Sequence, residues 1–274
     1  MPAGAKQRDL RVREDNPALG VEPPDRGTRK GKQFLYPSEF GLIARHDLIP
    51  LAWQRLIALA IYLFPRAGEL EALEWEDVDL ERGVVHVHRS IDRARGSTKS
   101  TKTGSPRRFN VEPAALPLLR KMHEERTGDG VVLERMPRHR DLAEGLRTYL
   151  EVAGVKRPEL FTTDKTRKAI TFHDLRATGL TWMAIRGDEP LRIMQRAGHE
   201  SFATTQLYVR EAEAIREGFG EVFPPLTSLI ETSPTGERAK IGPRRRDLER
   251  LKRGVSRRYV AGSTGLERER RKRV

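Results

Sequence analysis

Between Thr171 and Tyr208 the sequence TFHDLRATGLTWMAIRGDEPLRIMQRAGHESFATTQLY places three groups that can do chemistry together. They are a His-x-x-Arg pair (His173, Arg176), a Gly-His turn (Gly198, His199) and Tyr208, nine residues beyond His199. A planar guanidinium donates two parallel hydrogen bonds to phosphate oxygens, which an ammonium cannot do. The imidazole one turn away takes up or gives a proton near neutral pH. A phenol brought to the same place can attack a phosphate once its proton is removed. Each piece alone has a plain reading: a polar helix start for His173 and Arg176, and a core or surface residue for Tyr208.

Two further cations lie upstream. In RAGEL, Glu69 follows Arg66 by one helical turn, so its carboxylate can fix the guanidinium in one orientation, although an isolated pair of this kind is usually a surface ion pair. Lys102 sits in KSTKTGSPRR, a basic loop whose composition alone indicates a solvated connection. A lysine there can reach a leaving oxygen and protonate it.

The elements that must carry these groups follow from periodicity and punctuation. Residues 1–33 read as a linker or the remnant of an N-terminal domain, with a short helix possible over Asp9–Glu14. The globular part starts near Phe34. Ser38 is expected to cap a helix over Glu39–Arg45, and Pro50 to open a buried one, LAWQRLIALAIYLF. A third helix is expected from Arg66 to Leu73, then a polar turn over Glu74–Leu80. Val84–His88 alternates as a strand, with Arg107–Val111 returning beside it across a loop that carries Arg93, Arg95, Lys99 and Lys102. Helices are then expected over Glu112–Glu125, Arg138–Val152, His173–Ile185, Glu189–Arg196 and Phe202–Gly218, with Gly154 and Gly198 as stops. The fold class is mostly α with a small antiparallel β-sheet, in a body spanning 34–223. As one continuous helix, residues 199–208 would put His199 and Tyr208 on opposite faces; a break at Gly198–Ser201, with Ser201 capping the next helix, lets them converge.

Composition narrows the class. The 274 residues contain no cysteine, which excludes disulfides and thiolate chemistry, and no apolar run of membrane-spanning length. A cytoplasmic protein is the expectation. The net charge of +13 is uneven: Glu237–Val274 holds 15 Lys/Arg against 5 Asp/Glu, a net of +10, leaving +3 for the rest. Residues 224–274 are thus expected to be a basic, disordered tail, read first as an arm that adds DNA affinity, with an interaction tail exchanged between protomers and a translated remnant without a role as the alternatives. Of the other motifs, His139-Arg140-Asp141-Leu142 matches a kinase tetrapeptide without its companions and is read as chance. His86 and His88 share a strand face and could ligate a metal, but with no other ligand clustered in sequence a satisfied or exposed pair is expected.

Taken in order, these residues resemble the catalytic domain of the tyrosine recombinases, the phage-integrase family. The likeness covers about residues 34–218. RAGELEALEWEDVDL resembles the family's first box, with the catalytic Arg66 and its acidic partner Glu69; KTGSPRR resembles the hairpin that carries the lysine, Lys102. The second box corresponds to His173, Arg176, His199 and the nucleophile Tyr208. Departures are Phe64-Pro65 for the more usual Gly-Leu, Ala177 where many relatives carry histidine, and Ala197 where leucine is usual. Members carry a helical clamp domain in front of this region; the roughly 33 residues that precede the match here are expected to be a linker or the remnant of that domain.

The resemblance implies site-specific cleavage and rejoining of double-stranded DNA through a 3′-phosphotyrosyl link, as in mobile-element integration. Tyr208 would attack, His173 take its proton, Arg66, Arg176 and His199 stabilise the five-coordinate phosphorus, and Lys102 protonate the leaving 5′-oxygen. Neither metal, ATP nor other cofactor is expected. The protein would be a monomer in solution and a tetramer on synapsed DNA. The competing readings are a non-catalytic DNA-binding integrase relic and a type IB topoisomerase-like relaxer.

Overall fold

The computed structural model describes residues 32–92, 97–100, 106–128, 130–134, 136–213 and 218–231. Lys102, Arg93, Arg95, the expected helix over Asp9–Glu14 and the basic stretch from Glu237 lie outside them.

The first helix, α1 (Pro37–Ala44), starts at Pro37, whose fixed φ suits a first helical position. Its cap is Tyr36 rather than Ser38: Glu39 accepts the Tyr36 N–H at 2.8 Å, while Ser38 Oγ donates to the Gly218 carbonyl at 2.6 Å. The apolar run after Pro50 forms α2 (Leu51–Tyr62), with Ile57, Leu59 and Ile61 fully enclosed. It stops two residues short of the expected Phe64, because Phe64 takes a left-handed φ of 55° and Pro65 follows it. Arg66 then caps a short α3 (Ala67–Glu71).

The expected polar turn at Glu74–Leu80 contains more structure. A 3-10 turn (Trp75–Asp77) leads into strand β1 (Val78–Asp79), and Trp75 and Val78 are buried. Strands β2 (Val84–Val87), β3 (Arg89–Asp92), β4 (Ser97–Ser100) and β5 (Arg107–Asn110) follow. They make two antiparallel sheets where one was expected: β1-β2-β5, and a separate β3-β4 hairpin inside the stretch read as loop. In the larger sheet Val85 pairs with Phe109 and Val87 with Arg107, so Arg107 shares the inward face with Phe109.

The remaining helices are α4 (Leu116–Glu125), α5 (His139–Val152), α6 (His173–Arg186), α7 (Pro190–Ala197) and α8 (Phe202–Ala212). Pro113–Ala115 forms a 3-10 turn, which moves the start of α4 to Leu116 from the expected Glu112. Gly187 (φ 89°) and Gly198 (φ 61°) end α6 and α7 in the left-handed conformation that glycine adopts without a Cβ clash. α8 ends at Ala212, short of the expected Gly218, where Glu213 turns back to the Arg210 carbonyl.

α6 is the central element and packs on α2, α7 and α8. Its Trp182 is fully enclosed, meets Tyr62 and Phe223 edge-on, and donates from Nε1 to the Leu35 carbonyl at 2.8 Å. Burying an aromatic of this size stabilises the fold by about 2–3 kcal/mol. The packing continues past the boundary expected at Phe223. Leu226 and Leu229 are buried, Tyr62 OH donates to the Pro224 carbonyl at 2.6 Å, and Arg55 reaches the Leu229 carbonyl at 3.1 Å. Among the described residues no helix is long and apolar enough to cross a membrane.

Candidate active site

The site is built on Glu69. As the third residue of α3, its Oε2 accepts the Arg66 N–H at 2.8 Å, and its Oε1 pairs with Arg66 Nη1, also at 2.8 Å. The expected one-turn pair is therefore also a helix cap, which fixes the Arg66 backbone and side chain at once. Arg107 Nη2 adds a third bond to Oε2 at 2.7 Å, and Arg176 Nη1 lies 4.0 Å from the same oxygen. The Glu69 side chain is fully buried. Burial opposes its charge, but the hydrogen bond and charge of Arg107 outweigh that, with Arg66 and Arg176 adding to them. The carboxyl is held down at about 2.

Arg176 is 2% exposed and held by backbone: Nη1 donates to the Phe64 carbonyl and Nη2 to the Ala197 carbonyl. Phe64 occupies the position where the family more usually has glycine, and its left-handed φ aims that carbonyl at the guanidinium. The charge of Arg176 thus sits at the junction of the turn after α2 and the end of α7. Arg66 remains partly exposed, with 27% of its side chain open. One arginine lies behind the site and one at its mouth.

His173 begins α6, where Asp174 secures the helix start by accepting from Thr171 N at 2.8 Å and Thr171 Oγ1 at 2.7 Å. His173 as a whole residue is exposed. The protein crowded around the ring still excludes much water, and Lys32, Arg176 and Arg66 repel a further proton; together they push it down to about 4. His199 is likewise pushed down to about 4, by burial first and then by Arg176 and Arg66. Both imidazoles are neutral at pH 7 and keep a lone pair.

The turn at Gly198 brings His199 onto Tyr208. Their rings stack with centroids 5.6 Å apart and planes 12° from parallel, which is the convergence expected of a broken helix. Tyr208 is 4% exposed. Burial raises its phenol, while Arg176 and Arg66 favour the phenolate. His199 Nδ1 lies 3.0 Å from Thr205 Oγ1.

The structure therefore brings Arg66, Glu69, His173, Arg176, His199 and Tyr208 to one place, and Lys102 lies outside the described residues. Two members were missed in the sequence. Arg107 had a signal, an arginine alternating with Phe109 on the inward face of a strand. Thr205 had another, one turn before Tyr208 on the same helix face. Behind them, Arg107 Nε donates to the Arg196 carbonyl at 3.0 Å, and Arg196 in turn pairs with the buried Glu112.

Comparison with known proteins identifies the family and the fold. The model of the phage integrase family matches residues 43–214. The ICEBs1 integrase of Bacillus subtilis is 26% identical over 194 residues, covering 65% of this chain and 50% of that protein. A tyrosine recombinase XerC of Lactobacillus delbrueckii is 27% identical over 190 residues, covering 67% of this chain and 60% of its own length. The chain thus spans half to three-fifths of these relatives. Among solved structures, the Tn1549 transposon integrase in complex with a circular intermediate DNA superposes with a TM-score of 0.54 at 19% identity, covering 77% of this chain and 74% of the other. A lambda integrase dimer bound to a COC′ core site gives 0.51 at 16% identity, over 72% and 65%. A family match across most of the packed body, on a fold shared with these integrases, shows that the chain belongs to the phage integrase family.

Proposed function

We propose that this protein is a site-specific DNA recombinase that cuts and rejoins strands through a 3′-phosphotyrosyl intermediate, as a mobile-element integrase does. The observation that carries this is the stacking of His199 on Tyr208, inside the field of Arg66 and Arg176.

In this reading the scissile phosphate enters at the exposed side of Arg66. Its negative charge raises the proton affinity of His173, which in the free protein is held down by burial first and then by Lys32, Arg176 and Arg66. His173 then accepts the Tyr208 proton as the phenolate oxygen bonds to phosphorus. Arg66 and Arg176 hold the non-bridging oxygens, and His199 donates a hydrogen bond to the developing charge. Lys102 protonates the 5′-oxygen as its bond to phosphorus breaks. Attack by another 5′-hydroxyl reverses the step, so the phosphotyrosine conserves the bond and neither ATP nor metal enters the balance. The region 34–223 would hold this chemistry, with residues up to Ile230 packed onto it, and the basic stretch 237–274 would add DNA affinity. The free protein would be a cytoplasmic monomer that forms a tetramer on synapsed double-stranded DNA.

The test is a nicked suicide substrate carrying the cognate attachment site. A covalent protein–DNA band should form with the wild type and vanish with Tyr208→Phe. A band that survives that substitution refutes the nucleophile. No band on a verified site would favour a non-catalytic relic, and relaxation without recombinants would favour a topoisomerase.

A further inference from the structure

We infer that Asp77, His86 and His88 form a binding site for a transition-metal ion of the zinc class, which would fasten the 3-10 turn before β1 to the end of β2. Among the described residues, these three present ligand atoms that all lie within 4.8 Å of one another. In the sequence the two histidines were only an alternating pair on a strand. The fold adds the carboxylate that such a pair lacks.

The trio is already oriented. His88 Nε2 lies 2.8 Å from Asp77 Oδ1. The other carboxylate oxygen, Oδ2, is fixed from behind by Arg89 Nη2 at 2.7 Å and by the Glu74 N–H at 3.2 Å. Outer partners of this kind hold a ligating carboxylate in place. The His86 and His88 rings stack with centroids 4.5 Å apart and planes 18° from parallel, so their nitrogens lie on one side of the strand. Ligands around a tetrahedral zinc stand roughly 3.3 Å apart, given bonds of about 2.0–2.2 Å. Small rotations of two half-exposed rings close the remaining gap.

The charge balance also admits a cation. Two arginines face the trio: Arg89, and Arg108, which pairs with His86 across β2 and β5. Arg89 is bound by three carboxylates, Glu74 at 2.9 Å, Glu76 at 2.9 Å and Asp77 at 2.7 Å, which leaves negative charge in excess around it. Two imidazoles and one carboxylate favour zinc, nickel or copper over magnesium or calcium. Three protein ligands leave the fourth position to water.

The probe is Zn2+ itself, with Co2+ as its spectroscopic stand-in, on untagged full-length protein without DNA. One equivalent of Co2+ should give visible tetrahedral absorbance that Zn2+ displaces, and Zn2+ should raise the melting temperature. His86→Ala and Asp77→Asn should each weaken Zn2+ binding at least tenfold; His86→Ala should melt close to wild type in EDTA, whereas Asp77→Asn, which breaks the Arg89 pair, should melt lower. His123→Ala and His199→Ala should bind as wild type does. Sub-stoichiometric binding, binding unchanged in His86→Ala and Asp77→Asn, or binding lost in His199→Ala would each overturn the proposal.

Discussion

The carboxylate of Glu69 is shared: Arg107 Nη2 and the Arg66 N–H both bond to Oε2, at 2.7 and 2.8 Å. The two arginines come from elements far apart in sequence, a strand and a helix cap. Removing one partner of a buried pair leaves the other charge uncompensated, typically at 3–5 kcal/mol. Arg107→Met should therefore destabilise the protein by about 3 kcal/mol in urea unfolding. It should also slow covalent-complex formation on the suicide substrate, because Glu69 then draws more heavily on Arg66 and Arg176. Arg107→Lys should recover part of the stability. Unfolding midpoints and cleavage rates for both variants that match the wild type would contradict this role.

The close approach of α2 and α6 gives a second prediction. A Cβ on Gly179 would stand 2.0 Å from the Ile61 carbonyl oxygen and 2.6 Å from the Phe64 ring. Backbone cannot yield that far without separating the helices, so Gly179→Ala should cost about 3 kcal/mol or more. It should also disturb Arg176, whose partner is the Phe64 carbonyl. Phe64→Gly tests the same turn differently. It relieves a left-handed non-glycine residue, worth about 1 kcal/mol, but empties the volume of a fully enclosed ring, worth about 3–5 kcal/mol. Net destabilisation of about 2–4 kcal/mol is expected in chemical denaturation.

The parts of this architecture that were legible in the sequence are the local ones. Gly198 reads as a helix stop because only its neighbours decide that, and the apolar run after Pro50 reads as a buried helix for the same reason. The β3-β4 hairpin was not legible: RSID and STKS lack apolar alternation, and β3 is half-buried at every position, so composition spelled a loop. The Glu69–Arg107 and Asp77–His88 pairs bridge 38 and 11 residues of sequence, and only the packing of separate elements decides which charges meet. The boundary expected at Phe223 missed Leu226 and Leu229 because two prolines next to it look like an exit from the fold.

Acid should weaken the protein at two stages. His173 and His199 are held at about 4 in the fold against 6.5 when unfolded. The unfolded chain therefore binds more protons across that window, and stability falls as pH drops from above 6.5 through 4. Glu69, at about 2 against 4.5, extends the loss to lower pH. The exposure of His173 screens its share. Urea midpoints measured from pH 7.5 to 4 should decline, and His199→Gln should flatten the upper part of the decline. A phosphate raises both histidines, so DNA affinity should rise over the same interval; a flat affinity profile would count against their contact with the phosphate.

The 3.0 Å contact between His199 Nδ1 and Thr205 Oγ1 occupies one ring nitrogen, so in the proposed mechanism Nε2 is the one left to meet the substrate. Thr205 is fully buried, so its hydroxyl has little access to water as an alternative partner. If the hydroxyl donates to Nδ1, the ring proton resides on Nε2 and can be offered to a phosphate oxygen. Thr205→Val keeps the shape and removes that donor. It should cost only about 1 kcal/mol of stability but slow cleavage roughly tenfold, the equivalent of one hydrogen bond of about 1.4 kcal/mol in the transition state. Thr205→Ser, which restores the hydroxyl, should restore most of the rate. If Thr205→Val cleaves at the wild-type rate, His199 does not depend on this contact, and its ring is positioned by stacking on Tyr208 alone.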